Sequence, residues 1–267
     1  MADALRAYVW IVGMWIRATM TYRASFVMLA AGQFAVTGCD FVAIFIMFAH
    51  TEQLGGFRLP EVAFLYATSG CALGLADLLV GNVERLGRRI RDGSFDVMLV
   101  RPVSAFVQAA ADDFALRRLG RILQSTAVLT WALVALDVTW TWDRLLLLPV
   151  MIVSGTVIFC SIFALGAAFQ FLANDAAEVA NAFTYGGNLL TQYPPSIFAK
   201  DLVRAATFAI PLAFVNWLPS MHILDRPDPL GLPKVFEFAS PVAALLLALV
   251  AALAWRAGVR SYRSTGS

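Results

Sequence analysis

The sequence predicts an all-α polytopic membrane protein with six transmembrane helices, and three observations lead to this fold class. Of the 267 residues, 60% are hydrophobic and only 14% are charged, whereas an ordinary soluble domain is about 25% charged. Long apolar runs recur along the chain, in place of the alternation over about ten residues that a membrane β-barrel needs. Arginines cluster near both ends of the chain and in one long loop, a distribution that sets membrane topology.

The first element is predicted to be an amphipathic helix over residues 3–23. Leu5, Tyr8 and Val12 share one helical face, and Trp15 is an aromatic residue of the type that favours the membrane interface. We expect this helix to lie on the inner leaflet before the first span. An ordinary cytosolic helix is the alternative interpretation.

The membrane spans follow from runs of about 20 residues that hold few or no charges. The N-terminal segment, the loop from Arg85 to Arg121 and the tail from Arg256 to Arg263 carry most of the basic residues, which places all three in the cytoplasm. Both termini on one side require an even number of spans. The predicted spans of this single domain, residues 1–267, are 24–49, 60–82, 119–140, 145–173, 178–196 and 235–256.

The identity of the fifth span stays open in the sequence. Residues 178–196 and 205–224 are both apolar enough, but an even count allows only one of them. Pro211 and Pro219 interrupt the second candidate, and proline frees backbone carbonyls that need other partners. We therefore predict that 197–226 is an external re-entrant segment, although the charge count slightly favours 205–224 as the span.

The sequence carries no signature of an enzyme. It has no phosphate-binding loop, no nucleophile elbow and only two histidines, His50 and His222, which are far apart. We therefore predict no catalytic residues, no metal site and no cofactor bound by this chain. No basic face of the kind that binds nucleic acid occurs, so no nucleic-acid partner is expected.

A few polar residues fall inside the apolar runs. Asp40 lies in the middle of one, and a charge in hydrocarbon usually faces a bundle interior or a cavity. Asn188 and Gln192 are four residues apart and share a helix face. We predict that these three residues line a translocation path, with interhelical hydrogen bonding as the alternative. Asp77 is expected to reach the interface, and neither aspartate is expected to have an intramembrane basic partner.

The long cytoplasmic loop contains the most informative pattern, at residues 83–104. Val83, Leu86 and Ile90 share one helical face, and charged residues surround them. Gly93 is a plausible helix C-terminal residue, and an apolar stretch follows it. A short amphipathic helix that projects from the membrane suits docking into a groove of a partner. A solvated basic loop that only sets topology is the alternative.

Two segments of the chain resemble ABC transporter type-2 permeases, in particular a bacterial subfamily of six-span permeases often encoded as unequal pairs with a separate ATPase. The first is the pattern I-x-x-G-x-x-D-x-x-L-x-R-P, which is found here from Ile90 to Pro102. The second is the pattern Y-P-x-x-I-F, followed by F-x-I-P-x-A-F-V-x-x-x-P, which is found from Tyr193 to Pro219.

The resemblance implies the permease subunit of an ATP-driven exporter in the bacterial inner membrane, with both termini in the cytoplasm. ATP and Mg²⁺ would bind to a separate ABC ATPase, and a second permease chain would complete a dimer, with a heterodimer favoured. Asp40 is an acidic residue outside the family pattern. The competing hypothesis is a self-sufficient secondary transporter or an intramembrane enzyme. The expected ATPase contacts are Glu84, Arg85, Arg88, Arg91, Asp96 and Arg101.

Overall fold

The structure is a computed structural model, and it describes residues 2–172 and 177–263. Within these ranges it contains α-helices joined by short turns and no strand longer than one isolated bridge, between Leu54 and Phe57. The helices are α1 (Ala2–Thr21), α2 (Arg23–Phe48), α3 (Leu59–Val80), α4 (Leu86–Arg91), α5 (Ser94–Val100), α6 (Ala105–Ala111), α7 (Leu119–Ala135), α8 (Trp142–Phe169), α9 (Ala177–Thr191), α10 (Lys200–Phe208), α11 (Trp217–Leu224) and α12 (Ser240–Ser261).

The predicted helical membrane fold is confirmed, whereas the count of six spans stays a prediction. Four helical segments of the described chain are long and apolar enough to cross a membrane, and a fifth is formed if α10 and the segment 212–224 count as one broken span. Helices α7 and α9 have 17 and 15 residues, which is short of the roughly 20 that a bilayer requires. The last residue of the predicted span 145–173 lies outside the described residues.

Helix α3 is the centre of the bundle. Pro60 stands at its first turn, and the Glu61 carboxylate accepts a hydrogen bond from the Arg58 backbone N–H at 2.7 Å, which satisfies a donor at the helix start. Nearly every residue of α3 is buried, since α7 and α8 pack against it and α12 packs against α8. The helix continues through a 3₁₀ turn (Gly81–Arg85) into α4, so Leu59–Arg91 forms one helical segment.

The chain between α9 and α12 folds as a bent helical pair. Helix α10 and the segment 212–224 meet at 81°; the break contains Pro211, which cannot donate a backbone hydrogen bond. This geometry suits a broken span or a re-entrant loop, so the predicted external segment 197–226 stays a prediction. Helix α11 is almost entirely buried against the bundle.

A fully buried amide fixes α11 to its neighbours. The Asn216 side chain donates hydrogen bonds to the backbone oxygens of Leu65 and Thr191 at 2.7 and 2.9 Å. The hydroxyls of Thr68 and Ser220 lie 2.9 and 2.7 Å from its carbonyl oxygen. We refer to these five residues as the polar seam. Because every polar atom of the Asn216 side chain is satisfied, the seam ties α3, α9 and α11 together.

Ion pairs connect the same helices at the end of the bundle that holds the start of α3. Arg226 pairs with both carboxylate oxygens of Glu61 at 2.8 and 2.9 Å. The two ring nitrogens of His222 lie 2.7 Å from Asp143 and 2.9 Å from Glu237. These contacts join α11 and the chain that follows it to α3, α8 and the segment before α12.

Candidate functional site

A polar cavity of about 320 Å³ lies between α2, α3, α7 and α9. It brings together all three residues for which the sequence predicts a place on a translocation path, Asp40, Asn188 and Gln192. Most of its other lining residues are also polar or aromatic, although they come from helices that are apolar in composition. These are Thr37, Tyr66, Arg121, Gln124, Ser125, Tyr185 and Tyr193, with Ala43, Ile44, Gly70 and Leu189.

The cavity wall is held by hydrogen bonds between helices. The Tyr66 hydroxyl donates to the Thr37 backbone oxygen at 2.7 Å and lies 3.3 Å from the Gln124 side-chain oxygen. The Asn188 carbonyl oxygen accepts a hydrogen bond from the Ser69 hydroxyl at 2.9 Å. Asn188 therefore combines both roles that the sequence leaves open, because its oxygen joins α9 to α3 while its side chain also lines the cavity.

One residue of the cavity wall, Arg121, and its neighbour Gly120 have no role in the sequence predictions for this site. Arg121 lines the cavity, but in the sequence it falls within the loop arginines that set topology. Gly120 allows the wall to close, since a Cβ at this position would clash with the Ala30 backbone oxygen and lie 2.9 Å from the Phe34 backbone nitrogen of α2. In the sequence, only the glycine beside an arginine at the start of a helix could have indicated that these two residues lie at the cavity.

Asp77 has a basic partner that lies outside its own apolar run. Its carboxylate pairs with the Arg118 guanidinium at 3.0 Å, and the same guanidinium donates to the Asp77 backbone oxygen at 2.9 Å. Both side chains are largely buried. The partner comes from the turn before α7, and a scan of one apolar run cannot reveal a partner on another element. The ion pair fixes the end of α3 to the start of α7.

The predicted coupling element, residues 83–104, folds as two short helices and a tight turn. Helix α4 ends before Gly93, whose positive φ of 70° is the left-handed conformation that favours glycine. Phe95 and Met98 of α5 are buried, and the Phe95 ring lies 5.2 Å from Phe171 and 5.0 Å from Tyr262. The element is therefore anchored to the chain that follows α8 and α12.

The side of the coupling element that faces away from the bundle is exposed. It carries both basic and apolar side chains. Arg88 and Arg101 are exposed, and the exposed fractions of Val97, Leu99 and Val100 are 51%, 42% and 83%. We refer to these five residues as the docking surface. It is amphipathic, as the sequence predicts, but only part of the apolar stretch takes part, since Phe95 and Met98 face inward.

The six predicted ATPase contacts are therefore divided between two environments. Glu84 is half-buried and turned toward the bundle, with the Tyr185 hydroxyl 3.5 Å from its carboxylate. Arg85 is ion-paired with Asp113, and Asp96 is hydrogen-bonded to the Tyr262 hydroxyl. Arg88 and Arg101, together with Arg91, lie at the surface. The first three form contacts within the chain, although Arg85 is also exposed, and the other three lie at the surface.

Two pKa shifts report on the packing of this element. Hydrogen bonds from the Ser94 hydroxyl and backbone N–H hold the pKa of Asp92 below its usual value, which stabilises the turn between α4 and α5 with a charged carboxylate. Burial, and secondarily the hydrogen bond to Asp96, raise the pKa of Tyr262. Tyr262 is thus a neutral hydrogen-bonding anchor at physiological pH.

A cleft of about 540 Å³ separates the coupling element from α1. Ile11 and Met14 of α1 form one side of it, and Arg88 and Arg101 contribute to the other. The Tyr8 hydroxyl donates to the Leu79 backbone oxygen at 2.7 Å, so α1 is attached to the end of α3 from which the coupling element projects. No group of three or more side chains suited to a metal ion occurs in residues 2–172 and 177–263.

Comparison with known families identifies the chain. The model of a family described as "ABC-2 family transporter protein" matches residues 34–266, and this match confirms the resemblance to ABC transporter type-2 permeases. Searches of the curated proteins and of the solved structures gave no match. Since the family match spans most of the chain, including the cavity and the coupling element, the protein belongs to the ABC-2 family of transporter proteins and is the membrane-embedded permease component of an ABC transporter.

Proposed function

We propose that the chain is the permease subunit of an ATP-driven exporter that works with a separate ABC ATPase and a second permease chain. ATP and Mg²⁺ would bind to the ATPase. The observation that carries this proposal is the helical segment Leu59–Arg91. One stretch of it lines the cavity with Tyr66 and Gly70, and its last turn carries Arg88 of the docking surface. A force applied to the docking surface therefore acts directly on a wall of the cavity.

The docking surface has the composition of a partner-binding helix pair. Val97, Leu99 and Val100 offer apolar area, and the exposed arginines supply charge that orients a partner. Buried Phe95 and Met98 hold α5 from beneath, and Gln170 accepts a hydrogen bond from the Gly87 backbone N–H. Because the surface is anchored on its inner side, a push from a partner moves the helices rather than deforming the loop.

The proposed transport cycle requires that the ATPase bind the conformations of the permease with different affinities. ATP does work on the permease only if the ATPase arrangement that binds ATP favours one permease conformation over the other. In this proposal closure of the ATPase displaces the coupling element, tilts α3 against α7 and α9, and opens the cavity toward the other side of the membrane. Export as the direction, the bacterial inner membrane, cytoplasmic termini and a heterodimer are parts of the proposal that rest on the family resemblance.

Recovery of the partners tests this function. The tagged full chain, purified from its native membranes in mild detergent, should retain a nucleotide-binding ATPase in a one-to-one ratio, and mass spectrometry would also identify a second permease chain. If the chain is recovered alone even after cross-linking, the proposal is overturned in favour of a self-sufficient transporter or an intramembrane enzyme.

Charge reversal then tests the docking surface. Arg88→Glu and Arg101→Glu should each reduce ATPase recovery by about tenfold, which corresponds to the loss of a charged interface contact worth about 1.4 kcal/mol. Arg204→Glu is the matched control, because Arg204 is exposed on α10, away from this surface. Equal ATPase recovery with all three variants would show that the ATPase binds elsewhere.

A further inference from the structure

The polar cavity is lined by two ionisable side chains of opposite charge, Asp40 and Arg121. Asp40 of α2 is exposed and Arg121 of α7 is half-buried, and within residues 2–172 and 177–263 neither side chain forms an ion pair or a hydrogen bond. The Arg121 guanidinium lies 5.8 Å from the centre of the Tyr185 ring. Asp77, the carboxylate on α3, is already paired with Arg118. Intramembrane charges are expensive and usually mark a substrate or ion pathway.

The positions of the two charges along the bundle axis can be read from neighbouring contacts. Tyr66 touches both Thr37 and Gln124, which places these two residues at one level. Gly120, four residues before Gln124, is close to Ala30 and Phe34, which both precede Thr37. Earlier residues of α7 therefore lie beside earlier residues of α2, so the two helices run in the same direction. Arg121 lies three residues below the shared level and Asp40 three residues above it. At 1.5 Å of rise per residue, the Cα positions of Asp40 and Arg121 are offset along the bundle axis by about 9 Å.

Uncharged hydrogen-bonding groups line the same cavity as the two charges. Gln192 side-chain atoms make no hydrogen bond to any part of the chain that the structure describes, and the same holds for the amide nitrogen of Asn188. Both residues line the cavity. Side-chain amides both donate and accept, so they suit a ligand that carries peptide groups or hydroxyls between its charged ends.

We propose that this cavity binds a zwitterionic solute, with its anionic group on Arg121 and its cationic group on Asp40. An extended peptide of three residues spans at most about 10 Å, which is close to the axial offset of about 9 Å between the Cα positions of the two residues. The guanidinium suits a carboxylate through two parallel hydrogen bonds, and Asp40 suits an ammonium group. This inference names a substrate class and rests on the proposed transport function, but it concerns binding by the permease alone.

A direct binding measurement tests the inference with the full chain in lipid nanodiscs. The probes are radiolabelled triglycine, its N-acetylated form and its C-terminal amide, which share one backbone and differ by a single charge. Triglycine should bind about tenfold more tightly than either capped probe, the usual value of one charged hydrogen-bonded contact. Equal binding of the three probes, or binding of none of them at millimolar concentration, overturns the inference.

Variants assign each end of the ligand. Asp40→Asn should abolish the preference for triglycine over the acetylated probe and keep the preference over the amide. Arg121→Gln should do the reverse. Asp201→Asn and Arg204→Gln are the matched controls, since they remove the same charges from an exposed pair on α10, and they should leave both ratios unchanged. If either cavity variant leaves its own ratio unchanged, the assignment of that end is overturned.

The unmodified chain decides the question even if a variant fails to fold, because the ratios among the three probes need no substitution. The result is also independent of the proposed coupling function. A chain that retains its ATPase but does not discriminate among the probes retains the proposed function and loses the substrate class. A chain without an ATPase that does discriminate is a zwitterion-binding membrane protein of another kind.

Discussion

The polar seam at α11 and the polar cavity at α2, α7 and α9 contain similar side chains that differ in hydrogen bonding within the chain. Asn216 is fully buried and uses its whole amide group on Leu65, Thr68, Thr191 and Ser220. Gln192 also carries an amide, but it directs that group to the cavity and forms no side-chain hydrogen bond with any described residue. The type of residue therefore does not separate structural from functional polar groups in a membrane bundle.

The comparison teaches that the two kinds of polar side chain differ in their partners. A structural side chain has its hydrogen-bond partners within the chain, whereas a side chain available to a ligand does not. A satisfied polar group contributes to stability, because its removal leaves partners unpaired in a medium that offers no water. A polar group that faces a cavity contributes little to stability and remains available to a ligand. Four substitutions, described in order of decreasing expected effect on stability, test this comparison.

The largest effect is expected from Asn216→Ala in the seam. The substitution removes four hydrogen bonds, and since membrane hydrogen bonds are worth about 0.6 kcal/mol each, the free energy of unfolding should fall by about 2–3 kcal/mol. Titration with a denaturing detergent measures this change. The control is Asn181→Ala on α9, where the amide oxygen is buried without a partner in the described chain, and no loss of stability is expected there. Equal losses would show that side-chain size, not hydrogen bonding, matters.

The second effect concerns the wall shared by α2 and α7. Gly120→Ala places a methyl group against the backbone of Ala30 and Phe34, so the helices must separate, and overpacking of this kind costs about 1–3 kcal/mol. Gly38→Ala is the control, because a Cβ at Gly38 meets nothing within 4 Å and alanine favours a helix. If both variants have the same thermal stability, α2 and α7 are not in close contact at Gly120.

These two residues also show how far the sequence could predict the structure. Hydrophobic runs and arginine clusters predict the membrane class and most helices, because bilayer insertion depends on composition over about 20 residues. Helical spacing also places Asn188 and Gln192 on one face. The importance of Asn216 and Gly120 depends on which helix lies opposite, and local patterns do not specify that. For the same reason Glu84 faces the bundle although its neighbours suggest an exposed contact.

A smaller effect is expected from Arg226→Lys at the ion pair with Glu61. Lysine keeps the charge but cannot make the two parallel hydrogen bonds of the guanidinium. Because Arg226 is one-third exposed, solvent screens part of the interaction, and we expect a loss of about 1 kcal/mol. Arg204→Lys, at the exposed pair with Asp201, should have no measurable effect. A larger loss at Arg204 than at Arg226 would contradict a structural role for the Glu61 pair.

The smallest effect on stability, and the most informative, is expected from Gln192→Leu in the cavity. Leucine has a similar volume, and no hydrogen bond of the Gln192 side chain to the described chain is lost, so the free energy of unfolding should change by less than about 0.5 kcal/mol. The same variant should weaken triglycine binding severalfold, because a hydrogen-bonding group of the cavity is removed. If Gln192→Leu instead destabilises the protein as much as Asn216→Ala, the Gln192 amide stabilises the packing between helices. The cavity and the seam would then be one structural network, and the distinction between them would fail.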